Sequence, residues 1–226
     1  MSELIDTAEM YLRTIYQLLE QGVPPRRARI VESLGQAAPT VSETVARLER
    51  DGVLRLGPDH VIELTEPGLQ LASEVMRRHR LAECLLIQVL DVGWAAAHQE
   101  ACRWEHVISS QVMRNMDAFL GGPRVTPYGT PVPEVGERPE TFANRWTPLA
   151  DALPQLIMRG TQTELVAVDD NVQSNTGLLG ELDAAGLHPG ASLSAQRGNG
   201  GQVRLHGPAG TAGYTEALGR GAYVAA

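Results

Sequence analysis

A chain of 226 residues can hold one large domain or two to three small ones. Its formal net charge of −8 argues against a nonspecific nucleic-acid coat, but allows a sequence-specific binder with a local basic face. No apolar run approaches the ~20 residues needed to span a bilayer, the acidic start predicts no signal peptide, and two cysteines, Cys84 and Cys102, are too few for a disulfide framework. A cytoplasmic protein without a membrane partner is expected.

In chain order, Asp6-Thr7-Ala8-Glu9 reads as a helix N-cap signature for a helix carrying Met10, Leu12, Ile15, Tyr16 and Leu19, with Leu4 and Ile5 as a possible backward extension. Gly22-Val23-Pro24-Pro25 stops it. Arg26 to Leu34 predicts a short second helix with Ala28, Ile30, Val31 and Leu34 inward. After the turn Gly35-Gln36-Ala37-Ala38, Pro39 stands at a helix start, where its missing N–H costs nothing. The third helix, Thr40 to Asp51, turns Val41, Val45 and Leu48 inward and Ser42, Glu43, Arg47 and Arg50 outward, and Gly52 caps it. Val53 to Leu56 and His60 to Leu64 alternate like strands around the turn Gly57-Pro58-Asp59. Three helices and a hairpin, with the short turn between helices two and three, predict a winged helix-turn-helix. Such a unit lays one helix in the DNA major groove. Arg27, Arg29, Arg47, Arg50 and Arg55 can meet phosphates, which position without reading sequence, and Pro39, Thr40, Ser42 and Glu43 stand at the helix end that meets base edges. A winged helix used only for protein contacts is the alternative.

Glu66 to Leu90 predicts one long helix carrying His79 and Glu83 about 40° apart on one face, a workable half-site for a divalent ion or a plain hydrogen-bonded pair. A second helix, from about Trp94 to Phe119, carries His98, Glu100, Cys102, Glu105 and His106. On a continuous helix all of these but Glu100 fall within an arc of roughly 100°. A thiol, two imidazoles and a carboxylate suit a first-row transition ion, not Mg²⁺ or Ca²⁺. The competing reading is a buried core thiol among hydrogen-bonded histidines. The two helices predict an antiparallel hairpin that lets His79 and Glu83 meet His98, with Leu81, Leu85, Leu86, Val89, Val107 and Val112 left for a core and a dimer seam. The Pro/Gly-rich stretch from Gly121 to Pro154 predicts an extended connector. Beyond Arg159, strands at Leu165 to Val168 and Gln202 to Leu205, a short helix from Leu178 to Ala185, and a hairpin turn at Gly198-Asn199-Gly200-Gly201 suggest a β-barrel of ~70 residues, small enough to lean on the rest.

Five stretches then resemble, in order, the DtxR/IdeR family of iron-dependent transcriptional repressors: Asp6 to Tyr16, Pro39-Thr40-Val41-Ser42, Val45 to Gly52, Arg78 to Glu83, and Glu100 to Val107. The resemblance covers essentially the whole chain. It implies a mainly α protein with small β elements: a winged helix-turn-helix (1–73), a helical metal-binding and dimerisation domain (74–140), a linker (141–158) and a C-terminal SH3-like β-barrel (159–226). It resolves the ligands into a regulatory site of Met10, Cys102, Glu105 and His106, and an ancillary site of His79, Glu83 and His98 completed by Asp170 and Gln173. It implies a DNA-facing set of Arg27, Ala37, Pro39, Thr40, Ser42, Glu43, Arg47 and Arg50. The implied function is an Fe(II)-activated repressor of iron-uptake and siderophore genes, a homodimer on a double-stranded operator. Met10 ties the first helix to the metal and so links metal to DNA. Its thioether and the Cys102 thiolate are soft donors that favour Fe(II) over Mn(II), with Co(II), Ni(II) and Zn(II) as surrogates.

The chain departs from the family pattern in places. Ala37-Ala38 replaces Ser-Gly, Glu43 replaces Gln, and Asp170 replaces Glu and is one methylene shorter. Gly198 to Gly213 also matches poorly. Glu43 can accept from cytosine N4 but cannot donate, which predicts an altered base preference. A Mn(II)-responsive regulator, a metal store and a metal-dependent hydrolase are the other readings. The hydrolase lacks any His-Glu-x-x-His motif.

Overall fold

The computed structural model describes residues 2–198 and 200–225. Helix α1 (Ser2–Glu20) starts ahead of the expected cap at Asp6 and runs through it. Its apolar residues serve two faces. Tyr11, Ile15 and Leu18 enter the core formed with Ile30 of α2 (Arg27–Leu34) and with Val41, Val45 and Leu48 of α3 (Ala38–Arg50). Leu12 and Tyr16 pack instead on Leu69, Ala72 and Met76 of α4 (Glu66–Gln88). Helix α2 ends at Gly35, whose φ of 63° lets its N–H reach the Val31 carbonyl. Ala28, expected inward, is exposed. The wing is shorter than the alternation suggested: β1 (Leu54–Leu56) pairs antiparallel with β2 (Ile62–Leu64). A 3-10 turn over Pro58–His60 takes the rest, with Asp59 and His60 at φ 55° and 57°.

Thr65 caps α4 by accepting the Gly68 N–H, and Gly68 lies so close to the Val53 carbonyl that a Cβ would run into it. The expected single helix over 94–119 is instead two, α5 (Trp94–Trp104) and α6 (Ser110–Phe119). The break has a local cause: Ser109 takes an extended backbone and its hydroxyl accepts the Val112 N–H, starting a new helix. Leu81, Ala82 and Leu86 of α4 pack on Ala97, Ala101, Ile108, Met113 and Met116. Leu81 and Leu86 are therefore buried within the protomer. Val89, Val107 and Val112, with Leu90 and Phe119, stay exposed.

The connector is folded rather than extended. Val125 bridges Pro131, the Thr126 and Thr130 hydroxyls pair at 2.8 Å, and Tyr128 is buried with its hydroxyl on the Trp94 carbonyl at 2.6 Å. Gly129, at φ 82°, lies against the Val166 carbonyl with no room for a Cβ. The stretch read as a linker holds a 3-10 turn at Phe142–Asn144, strand β3 (Thr147–Pro148) and helix α7 (Leu149–Arg159). Pro154 masked that helix. The backbone bond it forgoes is offset by burial of Leu149 and Leu156.

The C-terminal part is a six-stranded antiparallel sheet, ordered β3-β8-β4-β5-β6-β7. It uses β4 (Gln162–Val168), β5 (Ser192–Arg197), β6 (Val203–His206), β7 (Thr211–Gly213) and β8 (Ala222–Val224). Helices α8 (Asp170–Gln173), α9 (Thr176–Ala184) and α10 (Glu216–Gly221) interrupt the strands. The expected strand at Leu165 to Val168 falls within β4, and the strand at Gln202 to Leu205 and the short helix from Leu178 to Ala185 overlap β6 and α9 to within two residues, whereas β5, β7 and β8 were not legible. The β5–β6 connection closes with the Gly198 N–H on the Gln202 carbonyl, and Asn199 of the expected turn lies outside the described residues. The sheet's core includes Trp94 and Tyr128 from the preceding parts of the chain. Among the described residues no helix is long and apolar enough to cross a membrane.

Candidate metal centre

Three short segments converge under α1. Helical spacing on α4 puts His79 and Glu83 on one face, and the same spacing on α5 does so for His98 and Cys102. Glu105 is the C-cap of α5 and keeps helical dihedrals, so it follows the face of His98 and Cys102 inward to 1% exposure. From the third domain, Asp169 caps α8 by accepting the Val172 N–H, which fixes Asp170 and Gln173 in one helical turn.

The contacts form one network. His79 sits between Glu105 Oε2, 2.7 Å from its Nδ1, and Glu83 Oε1, 2.8 Å from its Nε2. His98 Nδ1 is 3.0 Å from Glu83 Oε1, and its Nε2 is 3.6 Å from Cys102 Sγ and 3.2 Å from Ser174 Oγ. Asp170 Oδ1 lies 3.9 Å from His79 Nε2. The ligand atoms of His79, His98 and Cys102 all lie within 4.8 Å of one another, so the thiol expected at the regulatory site stands beside the imidazoles expected at the ancillary one. His106 is at the rim, with Nδ1 2.8 Å from Glu9 Oε2 and Nε2 3.2 Å from Glu105 Oε1. Gln173 donates to the Val168 carbonyl at 2.7 Å. Met10 is half-buried and packs against the winged-helix core.

Residues that the sequence did not single out complete the site. Arg13 of α1 reaches Cys102, Glu105, Asp170 and His79. Arg80 pairs with Glu20 through two contacts of 2.7 and 2.6 Å and lies 3.5 Å from Asp170 Oδ2. Arg78 joins Glu9 to Glu74. Arg13, Arg78 and Arg80 lie in stretches that carry the family resemblance, but their spacing carries no periodic signal of a role in the site.

Burial opposes every charge here, and the partners overcome it. Desolvation pushes the Cys102 thiol up, but Arg13 and the two histidines bring it down to about 5. Burial and Arg13 both disfavour a charged His79, yet Glu83, Cys102 and Glu105 outweigh them and raise it. His98 is likewise raised to about 9 against burial, by Cys102 and Glu83. Glu83, Glu105 and Asp170 are lowered despite burial, the first chiefly by His79, the second by Arg13 and the third by Arg80. Two buried acceptors, Glu83 Oε2 and Gln173 Oε1, have no hydrogen-bond partner among the described residues. Orphaned buried oxygens beside imidazole and thiolate are what a divalent transition ion would satisfy, and the residues present fit one.

On the DNA-facing side Ala37, Pro39, Thr40, Ser42, Glu43 and Arg50 are exposed and Arg27 and Arg47 partly so. Arg29 and Arg55 are paired with Glu32 and Glu63 at 2.7 and 2.6 Å.

Residues 3–61 match the family described as iron dependent repressor, N-terminal DNA binding domain, and residues 65–134 match iron dependent repressor, metal binding and dimerisation domain. The chain is 46% identical over 213 residues to the iron-dependent repressor IdeR of Mycobacterium tuberculosis, covering 91% of this chain and 90% of that one. It is 52% identical over 137 residues to the diphtheria toxin repressor of Corynebacterium glutamicum, covering 61% and 60%. Among solved structures, the manganese regulator SloR superposes at a TM-score of 0.71 with 27% identity, covering 96% of this chain and 97% of that one. A manganese-dependent transcriptional repressor in complex with manganese superposes at 0.77 with 23% identity, covering 97% and 99%, a likeness of fold.

Proposed function

The chain belongs to the iron-dependent repressor family, and from that premise we propose that it is an Fe(II)-activated, homodimeric repressor of iron-uptake and siderophore genes in the cytoplasm. That it is a metal-dependent DNA-binding repressor follows from the family; the choice of metal, the sites and the targets are our reading. The observation that carries it is the meeting of His79, His98 and Cys102 with the carboxylates of Glu83 and Glu105 on the same two helices and of Asp170 from α8.

We assign His79, Glu83, His98, Asp170 and Gln173 to an ancillary site and Met10, Cys102, Glu105 and His106 to a regulatory one. The segments 1–73, 74–140 and 159–226 are the corresponding domains, joined through 141–158. A bound divalent ion supplies positive charge and directional bonds to sulfur, imidazole and carboxylate. The rest belongs to the chain. Helices α4 and α5 hold the imidazoles and the thiolate in place, α8 brings carboxylate and amide from the sheet domain, and α1 carries the recognition unit on the same network. An occupant favouring one arrangement of these segments biases the DNA-binding unit, as a switch requires. On α3, Glu43 and its neighbours Pro39, Thr40 and Ser42 read bases, and Arg27, Arg47 and Arg50 hold phosphates beside Ala37. The thiolate favours Fe(II) over Mn(II), and a regulatory role needs no turnover, so we read the chain as a regulator and not a hydrolase.

The test is operator selection from random duplexes under anaerobic conditions with Fe(II), Mn(II) or no metal, at fixed salt. Fe(II)-dependent enrichment is expected, and stronger enrichment with Mn(II) would refute the metal assignment. Repeating the selection with Glu43→Gln should change the preferred base at one pair, a difference of about 1–3 kcal/mol.

A further inference from the structure

We infer that the Arg13 guanidinium is an internal competitor for the metal centre, a tethered cation that any incoming ion must displace; the inference rests on the reading that this cluster binds a divalent ion. Arg13 touches four ligands proposed above. Its Nη1 donates to Cys102 Sγ at 3.5 Å and to Glu105 Oε1 at 3.2 Å. Its Nη2 lies 3.3 Å from Asp170 Oδ1 and 3.5 Å from His79 Nε2. These are the lone pairs that coordination would use, and they come from both proposed sites. Guanidinium keeps its proton throughout the physiological range, so this countercharge is present whenever the site holds no other cation.

The seat of Arg13 is that of a displaceable group. All four contacts lie between 3.2 and 3.5 Å, and its buried Nε has no partner among the described residues. Arg80, on α4 beside the same cluster, shows the opposite geometry: it grips Glu20 at 2.6 and 2.7 Å and donates to the Pro131 carbonyl at 2.6 Å. Arg80 is built to stay and Arg13 to leave. Arg13 also sits on α1, one turn from Met10, so its release frees a tie between the DNA-binding unit and both other parts of the chain. The competitor sets the ion concentration at which the protein responds, and it favours ions that bind the Cys102 thiolate strongly enough to take it from a guanidinium.

The test uses full-length protein stripped of metal and titrated anaerobically with Co(II), read by the thiolate-to-Co(II) charge-transfer band and independently by the thermal unfolding midpoint. Arg13→Leu removes the competing charge, and Arg13→Lys keeps it as a compact ammonium without the planar two-nitrogen fork. Expected results are Co(II) binding about tenfold tighter or more for Arg13→Leu, an intermediate gain for Arg13→Lys, and a lower midpoint for the metal-free variants with a larger rise on adding Co(II). If Arg13→Leu does not fold without metal, Arg13→Lys decides by the same band. An Arg13 that merely props up the ligands predicts unchanged or weaker Co(II) binding in the variants, and either result overturns the inference. Failure of the repressor reading has a different signature: a normal charge-transfer band with operator binding indifferent to metal.

Discussion

At the scale of single residues, the contrast between the two thiols is decided by neighbours. Cys84 is buried beside Glu83, and burial pushes it up to about 12. Cys102, also largely buried, is brought down to about 5 because Arg13 and two imidazoles face it. A depressed folded value means that the thiolate contributes stability above the unfolded value near 9, and that this contribution is lost as pH falls through about 5. In chelated protein, alkylation of Cys102 should therefore depend little on pH above about 6, with Cys84 unreactive in the native state. Mass-spectrometric mapping of iodoacetamide adducts against pH checks this. A rate for Cys102 that climbs steeply toward pH 9 would show an ordinary thiol. The α8 turn, capped by Asp169, carries the short carboxylate of Asp170 to 3.9 Å from His79 Nε2.

At the scale of elements, the inward face of α5 meeting α4, α1 and α8 shapes the site. Helical spacing already puts Glu105 and His106 on the face of α5 that carries His98 and Cys102, and Glu105 keeps helical dihedrals at the C-cap. Glu105 there meets His79 and His106 meets Glu9, while the Ser109 cap turns the chain into α6. The Ser109 signal was present in the sequence but was outweighed by an apolar periodicity that continues across it. Conversely, Pro154 and the glycines of the connector argued against structure where α7 and a docked loop exist, because local propensity is overridden when apolar side chains find a core. Gly129 tests that docking. Its φ of 82° and its approach to the Val166 carbonyl leave no place for a side chain. Gly129→Ala should destabilise the protein by about 2–4 kcal/mol, read as a lower urea midpoint. A midpoint unchanged from wild type would mean that the connector does not hold against β4.

At the scale of the whole molecule, the sheet domain is fastened to the rest through two different chemistries. One is apolar: Trp94 and Tyr128 belong to the same core as Leu165, Leu193 and Leu205. The other is ionic: Asp170 meets Arg13 and Arg80, and Gln21 donates to Asp169 at 3.0 Å. A chain ending at residue 140 should therefore bind a hydrophobic dye and melt at lower temperature than the full chain, since Trp94 and Tyr128 lose their cover. Equal melting temperatures and no dye binding would show that the shared core contributes little.

The sequence by itself determined the local facts. Periodicity and turn residues wrote the three helices, the short turn and the wing of the N-terminal unit, and i,i+4 spacing wrote the His79/Glu83 and His98/Cys102 pairs, because both depend only on neighbours along the chain. The meeting of His79 and Glu83 with His98 was expected from the helical hairpin; tertiary structure alone decided that the Cys102 thiol stands with the two imidazoles and that Arg13 reaches Asp170 from 157 residues away. Such contacts are fixed by how faces pack and by which buried charges need a counterion, and neither leaves a pattern in the order of residues. The stretch from His98 to His106 thus announced its donor atoms in the sequence, but the partners brought by α1 and α4, Arg13 and His79, decide how those donors are held.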